Sequence, residues 1–180
     1  MTGAERGRAP FGPIVQNGYV VSDLERAVHH WSGVVGVGPF FLLEHVQFAR
    51  LQLRGRPTQV DMSVAVAYWG AIQIELIVQH NQADSIYSEF LARSGVGLQH
   101  VGVMTDSVAR ALEHLQARGV DPVQWGSTAS GIEFAYVSTD FHPGAMLELI
   151  EHGPAIDSFF RMAYEAAQSW DGTRPLRRVG

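Results

Sequence analysis

Apolar and polar residues alternate along the chain in a pattern that occurs twice. Residues 16–31 (QNGYVVSDLERAVHHW) align without a gap to residues 100–115 (HVGVMTDSVARALEHL). In each segment a short apolar run comes before residues with helical spacing, as at Val108, Ala111 and Leu115. The pattern therefore predicts a strand followed by an amphipathic helix in each copy.

The two copies also end alike, on IQIELI (72–77) and AMLELI (145–150). Between the helix and this last strand, each copy has further stretches typical of strands: 39–53 and 60–69 in the first copy, 123–128 and 132–138 in the second. Turns at 54–57 and at Gly131 separate the strands of each hairpin. Each copy is thus predicted to be one βαβββ module.

The matched segments divide the chain into five parts. They are an N-terminal segment (1–13), a first βαβββ module (14–80), a linker helix (81–98), a second βαβββ module (99–152), and a C-terminal helix and tail (153–180). Asp23 and Asp106 are predicted to cap the two module helices. The final segment, WDGTRPLRRVG, is predicted to be a loosely held tail.

The composition removes several classes of chemistry. The chain has 180 residues and no Cys, and all 13 basic residues are Arg. Disulfides, thiolate ligands, cysteine nucleophiles and lysine Schiff bases are therefore excluded. Apolar residues make up 46% of the chain and charged residues 17%, which is typical of a globular protein.

The same features bear on partners and location. With a net charge of −5 and no long basic stretch, we expect no nucleic-acid binding. No apolar run is long enough to span a bilayer, and the first ten residues lack a secretory signal's apolar run. We therefore expect a cytoplasmic protein that binds a small molecule and no membrane.

Strand alternation places four polar side chains on the face opposite the helices. They are Gln16, Glu75, His100 and Glu148, at equivalent positions of the two copies. Taken singly, each has an ordinary explanation, such as a half-exposed histidine or the solvated face of a sheet. Taken together they direct donors to one point, and a divalent metal would satisfy both buried carboxylates at once.

Residues 14–152 resemble the vicinal oxygen chelate superfamily, which includes glyoxalase I, methylmalonyl-CoA epimerase, extradiol dioxygenases and bleomycin-resistance proteins. The motifs that carry the resemblance are VQNGYVVSDLERAVHHW, LQHVGVMTDSVARALEHLQARGV and the two ELI strand ends. The resemblance implies an α+β fold in which two βαβββ modules form a U-shaped mixed sheet around a central cavity. It also implies a homodimer, to which an apolar stripe on the C-terminal helix would contribute: Phe159, Phe160, Met162, Ala163 and Ala166.

The family's four ligand positions fall on the same residues, Gln16, Glu75, His100 and Glu148. Gln16 departs from the histidine of many members, although one branch of glyoxalase I enzymes has a similar set. The departure disfavours ring-cleavage dioxygenation, which uses two histidines and one carboxylate. Three oxygen donors and one imidazole suit Zn, Ni, Co, Mn or Mg, without ranking these divalent metals.

The resemblance and the donor set together favour a metal-dependent isomerase, epimerase or lyase. It would transfer a proton next to a metal-bound carbonyl or thioester of a small, largely apolar substrate. Glu148 is the preferred base and Glu75 the second candidate, and a role for both as ligands only stays open. The alternatives are a metal-free drug-binding protein and, less favoured, a ring-cleavage dioxygenase.

Further residues are candidates for the cavity. His45 could act there as an auxiliary acid or base, although a surface position explains it equally well. The candidates for substrate binding are Phe48, Tyr68, Trp69, Tyr136 and Arg50. The aromatic rings would suit an apolar substrate, or could simply pack in the core, and the arginine could hold a phosphate or carboxylate or lie on a solvated hairpin.

Overall fold

The computed structural model describes residues 11–138 and 145–179, so residues 1–10 of the predicted N-terminal segment lie outside it. Within this part of the chain, one mixed sheet of 11 strands is combined with four α-helices. The predicted α+β class is confirmed. None of the helices described is long and apolar enough to cross a membrane.

The strands follow the predicted stretches closely. They are β1 (Ile14–Val20), β2 (Phe40–Leu43), β3 (Phe48–Leu53), β4 (Arg56–Pro57), β5 (Met62–Trp69), β6 (Ile72–Gln79), β7 (Gly97–Thr105), β8 (Pro122–Thr128), β9 (Glu133–Val137), β10 (Met146–Glu151) and β11 (Leu176–Arg178). The helices are α1 (Leu24–His30), which continues as a π-helical turn (Trp31–Val35), α2 (Ile86–Ser94), α3 (Val108–Gln116) and α4 (Pro154–Gln168).

The strand order in the sheet is β11-β2-β5-β6-β1-β7-β10-β9-β8-β3-β4. Four strands of the first copy, β2-β5-β6-β1, and four of the second, β7-β10-β9-β8, are arranged in mirror order, and β3-β4 of the first copy lie beyond β8. In each copy the first and last strands are parallel, as β1 is to β6 and β7 is to β10, and the two copies join through antiparallel β1 and β7. The first strand of each repeat therefore lies at the centre of the sheet.

The helices begin where short polar side chains accept backbone hydrogen bonds. Asp23 accepts from the amide of Arg26 and caps α1, as predicted. In the second copy the cap of α3 is Ser107, not Asp106, because the Ser107 hydroxyl accepts from the amide of Arg110. The sequence places two suitable acceptors side by side there, and only the backbone geometry decides between them.

The helices and the functional side chains use opposite faces of the sheet. On one face, Leu24 and Val28 of α1 pack with Leu76 of β6. Val108 of α3 packs equivalently with Leu149 of β10. These contacts bury the apolar face of each amphipathic helix and leave the alternate residues of the central strands facing the other way.

The C-terminal region differs from the prediction. Helix α4 packs on the sheet of its own chain, where Phe159, Ala163 and Ala166 join Phe41 and Val66. The apolar stripe predicted to face a second subunit is thus largely covered within the chain.

The tail is also held in place. Strand β11 pairs in parallel with β2, and Arg178 Nε lies 3.0 Å from Glu44 Oε2. The mixed apolar and basic composition of the tail does not indicate a strand. The strand forms by pairing with β2, which is distant in sequence.

Candidate active site

The four predicted ligands lie on four neighbouring strands at the centre of the sheet. Glu75 is on β6, Gln16 on β1, His100 on β7 and Glu148 on β10, which are consecutive in the strand order. All four side chains point away from α1 and α3. The structure therefore brings together the four residues that the repeat and the resemblance indicated.

The donors converge on the imidazole of His100. Its Nε2 lies 3.3 Å from Glu75 Oε2 and 3.2 Å from Glu148 Oε2. The exposed fraction is 0% for His100, 2% for Gln16 and 7% for Glu148. One carboxylate from each module thus flanks the same buried nitrogen.

Three of these buried atoms have no hydrogen-bond partner: Gln16 Oε1, Glu75 Oε2 and His100 Nε2. The imidazole nitrogen is close enough to the carboxylates for charge interaction but is not aligned for a hydrogen bond with them. Buried polar atoms without partners are rare, since each one forfeits its hydration. Each of these atoms can donate a lone pair, and no group in the described part of the chain accepts it.

Two further glutamines hold the donors in orientation. His100 Nδ1 lies 2.7 Å from Gln99 Oε1, and donation from Nδ1 leaves Nε2 facing the carboxylates. Gln16 Nε2 donates to Gln73 Oε1 at 2.6 Å, which leaves Gln16 Oε1 available as a ligand atom. Gln73 in turn donates through Nε2 to the Tyr68 hydroxyl at 3.3 Å.

The glycines matched in the two repeats make room for these side chains. A Cβ at Gly18 would lie 2.1 Å from His100 Nε2, and a Cβ at Gly102 would lie 2.7 Å from Gln16 Oε1. Each module therefore has a glycine that accommodates the ligand from the other module. This crossed arrangement explains why both copies have glycine at this position.

Burial and charge shift the pKa values of the cluster. Burial is the largest influence on the pKa of Glu75 and raises it; contact with His100 lowers this pKa, and the charge of Glu148 raises it. For His100, burial lowers the pKa, but the charge and close contact of the two carboxylates outweigh burial and raise the pKa to about 9. Without a metal, the cluster therefore favours the imidazolium form of His100, protonated on both ring nitrogens, at neutral pH.

A cavity of about 280 Å³ opens beside the cluster. Its lining is mainly apolar, and Gln16, Glu75 and Glu148 are among its few polar residues. Residues of α4, including Ile156 and Phe159, complete the wall. A volume of this size fits a small ligand or the reactive end of a larger one.

Two buried tyrosines border the carboxylate of Glu148. The Tyr87 hydroxyl donates to the Tyr136 hydroxyl at 3.0 Å, and the Tyr136 ring contacts His100 edge-on with centroids 5.1 Å apart. Burial, followed by the charge of Glu148, raises the pKa of both phenols well above 10.0. Both therefore stay protonated and can serve as hydrogen-bond donors.

The structure brings some of the other predicted residues to the cavity and places others elsewhere. Phe48 and Tyr136 line it. Tyr68 lies behind the site, where its hydroxyl accepts from Gln73 and its ring packs on Tyr164.

Trp69, Arg50 and His45 lie outside the cavity lining. Trp69 is 60% exposed and contacts Trp31. Arg50 donates to Glu133 at 2.6 Å. His45 Nδ1 lies 2.6 Å from Asp61 Oδ1 at the surface.

Sequence reasoning missed three supporting residues, Gln73, Gln99 and Tyr87. Alternation does put Gln73 on the cavity face of β6, beside Glu75, so its position was readable although its role was not. Simple alternation would place Gln99 on the face of the strand opposite to His100, and Tyr87 comes from the linker helix. The role of Gln99 depends on a break in strand alternation, since the register of β7 against β1 shifts between Leu98 and His100. The role of Tyr87 depends on contact with Tyr136, which is distant in sequence.

The family is shown by a match over residues 15–136 to the model of the Glyoxalase/Bleomycin resistance protein/Dioxygenase superfamily. The chain belongs to this superfamily. No curated protein matches the sequence.

Solved structures share the fold at low sequence identity. Methylmalonyl-CoA epimerase from Mycobacterium tuberculosis superposes with a TM-score of 0.58 at 17% identity, over 83% of this chain and 94% of that one. A hypothetical protein from Bacillus halodurans C-125 gives 0.59 at 18% identity, over 79% and 95%. Streptomyces coelicolor methylmalonyl-CoA epimerase in complex with 2-nitronate-propionyl-CoA gives 0.55 at 17% identity, over 80% and 99%.

Proposed function

We propose that this protein is a metal-dependent isomerase, epimerase or lyase that moves a proton at a carbon next to a carbonyl or thioester. One observation carries the proposal: two carboxylates, one from each module, flank a single buried imidazole nitrogen beside an apolar cavity. Groups that gain or lose protons in such a setting are typical of acid–base catalysis.

The residues present fit a divalent metal. Ligand atoms of Glu75, His100 and Glu148 lie within 4.8 Å of one another. Gln16 Oε1, Glu75 Oε2 and His100 Nε2 have no hydrogen-bond partner, so they are free to bind an ion. Donors bound to one ion at about 2.0–2.2 Å lie roughly 3 Å from one another, which is close to the distances of His100 Nε2 from the two carboxylates, 3.3 and 3.2 Å. Polarisation of a carbonyl oxygen is the chemistry that a bound divalent ion would supply.

The two carboxylates divide the proton transfer. Glu148 takes the proton from the carbon, and the electron pair of the broken C–H bond moves toward the carbonyl oxygen. Glu75, whose pKa is raised by burial, can hold a proton of its own and give it to the carbon in exchange. Return to the opposite face inverts the carbon, whereas return to a neighbouring atom gives an isomer.

The surroundings support this chemistry. The cavity wall is mainly apolar, so a bound substrate would displace water there and strengthen the interactions of the carboxylates with the reacting group. The protonated phenol of Tyr136 lies against Glu148 and can donate to it, so the carboxylate keeps its orientation between turnovers.

The cavity and the structural neighbours support a substrate class to test first. The mainly apolar wall fits a short acyl group, and one neighbour holds 2-nitronate-propionyl-CoA. Acyl-CoA thioesters with an acidic α-hydrogen are therefore the first substrates to test, followed by α-hydroxy and α-keto carbonyl compounds.

The test is solvent deuterium incorporation. The metal-loaded protein is incubated in deuterium oxide with each thioester, and exchange at the α-carbon is followed by NMR. Glu148→Gln keeps the shape and an oxygen donor but cannot accept the proton, so exchange should fall by about 10²–10⁴-fold while metal stays bound. Glu165→Gln, on the exposed face of α4, is the matched control and should exchange like the wild type.

The variants also separate the alternatives. Exchange that persists in Glu148→Gln but is lost in Glu75→Gln would transfer the base role to Glu75. If neither substitution changes the exchange rate of a bound thioester, proton transfer by this pair is refuted. Tight binding without exchange would favour a binding protein.

A further inference from the structure

A second group of metal-ligating side chains lies at the surface, outside the cavity lining. It consists of His45, after β2, Asp61, before β5, and His80, after β6. One ligand atom from each residue lies within 4.8 Å of the others. His45 and His80 are exposed, and their ring centroids are 5.0 Å apart.

The backbone holds the three residues in register. Asp61 and His80 extend the β5–β6 ladder, since the amide of His80 donates to the Asp61 carbonyl at 2.8 Å. The amide of Val46 donates to the Met62 carbonyl at 2.8 Å, which fixes the segment carrying His45 against the same strand. The group therefore rests on a sheet and not on unsupported side chains.

His45 itself has an unusual backbone conformation. Its φ is 49°, in the left-handed region that residues other than glycine seldom adopt. Its amide donates to Ser63 Oγ at 3.1 Å and its carbonyl accepts from Gln47 Nε2 at 2.6 Å. The neighbours thus hold a strained backbone that directs the His45 ring toward Asp61, as often occurs at functional positions.

The surrounding polar atoms resemble the outer shell of a metal site. Ser63 Oγ lies 2.8 Å from His80 Nε2, and the amide of Asp61 donates to Asn81 Oδ1 at 3.2 Å. Such partners orient ligating imidazoles and carboxylates. Ser63 points away from the cavity, because Met62 and Val64 on either side of it line the cavity.

We propose that His45, Asp61 and His80 form a second metal site, separate from the cavity and selective for Zn²⁺ and similar first-row divalent ions. Two imidazoles and one carboxylate are a common zinc donor set, and the solvent-facing position leaves room for water as a further ligand. The ion would tie the segment after β2 to the β5–β6 hairpin. It would thereby brace the cavity wall through Val46 and Met62.

The test is calorimetric titration of tag-free, EDTA-treated protein with Zn²⁺. His80→Ala and, independently, Asp61→Asn should each remove one zinc equivalent, or weaken one binding step by more than the roughly 10–100-fold typical of losing an outer-shell partner. The matched control is His152→Ala. His152 Nδ1 lies 3.0 Å from Asp157 Oδ1, a surface histidine–aspartate pair that belongs to neither metal-ligating group, so its loss should change nothing.

The stoichiometry separates this site from the proposed active site. Two sites in the wild type should become one in the variants; if the cavity binds no metal, one should become zero. At about one hundred times Kd, zinc at this site should add about 5–10 °C to the melting temperature of the wild type and not of the variants. Unchanged stoichiometry and affinity in both His80→Ala and Asp61→Asn would overturn the proposal.

Discussion

Gly18→Ala adds one methyl group at the point where the two modules meet. The new Cβ would lie 1.9 Å from Cε1, 2.1 Å from Nε2 and 2.5 Å from Nδ1 of His100. The ring cannot simply rotate away, because it is fully buried, hydrogen-bonded to Gln99 and packed against Tyr136. The methyl group must therefore displace the imidazole or separate β1 from β7.

The expected cost follows from these contacts. Overpacking of a close-packed interior lowers the free energy of unfolding by about 1–3 kcal/mol. For a chain of this length, each kcal/mol shifts the melting temperature by about 2–4 °C, so we expect a fall of about 2–12 °C. Displacement of Nε2 should also weaken metal binding in the cavity by at least the ~10–100-fold seen when a ligand loses its orienting partner.

Differential scanning calorimetry and metal titration measure both effects. Gly33→Ala is the matched control, because a Cβ at Gly33 meets nothing within 4 Å. This control should melt at or slightly above the wild-type temperature, since alanine restricts the unfolded chain. A Gly18→Ala protein that melts and binds metal like the wild type would show that the His100 ring is not confined as described.

Three other predictions concern the site and the assembly. In metal-free protein, His100 has a pKa raised from 6.5 to about 9, so its contribution of about 3 kcal/mol is fully present below pH 6.5 and lost as the pH rises through about 9. The raised pKa of Glu75 acts in the same direction above pH 4.5, and urea unfolding that shows rising stability from pH 6 to 9.5 would contradict the raised pKa of His100. Gln99→Met removes the acceptor for His100 Nδ1 and should weaken metal binding in the cavity by about 10–100-fold in titration, whereas unchanged affinity would refute its orienting role. Exposed apolar side chains such as Val34 and Trp69 (75% and 60% exposed) favour the expected homodimer, which light scattering showing monomer at all concentrations would refute.

Much of the site was readable from the sequence because strand alternation and internal repetition constrain the same residues. The repeat placed Gln16 at the position equivalent to His100, and the shared ELI ends placed Glu75 at the position equivalent to Glu148. A strand has only two faces, so once the helices occupied one, the polar residues had to use the other. The family resemblance then identified the set as ligand positions.

The predictions were weakest where contacts cross between modules. The β3 strand of the first copy pairs with β8 of the second, which brings Arg50 to Glu133 and away from the cavity. Nothing in the local pattern of residues 48–53 indicates this pairing. Within the first module, His45 was also misplaced, because its neighbours Asp61 and His80 come from segments further along the chain.

Anomalous diffraction from crystals of tag-free protein grown with Mn²⁺ or Co²⁺ tests the central claim most directly. We predict an anomalous peak in the cavity, with donor atoms of Gln16, Glu75, His100 and Glu148 at about 2.0–2.3 Å from the ion. An ion bound by His45, Asp61 and His80 would give a separate peak at the surface, which does not affect this result. Metal-saturated crystals in which no ion lies among these four side chains would contradict the proposed active site.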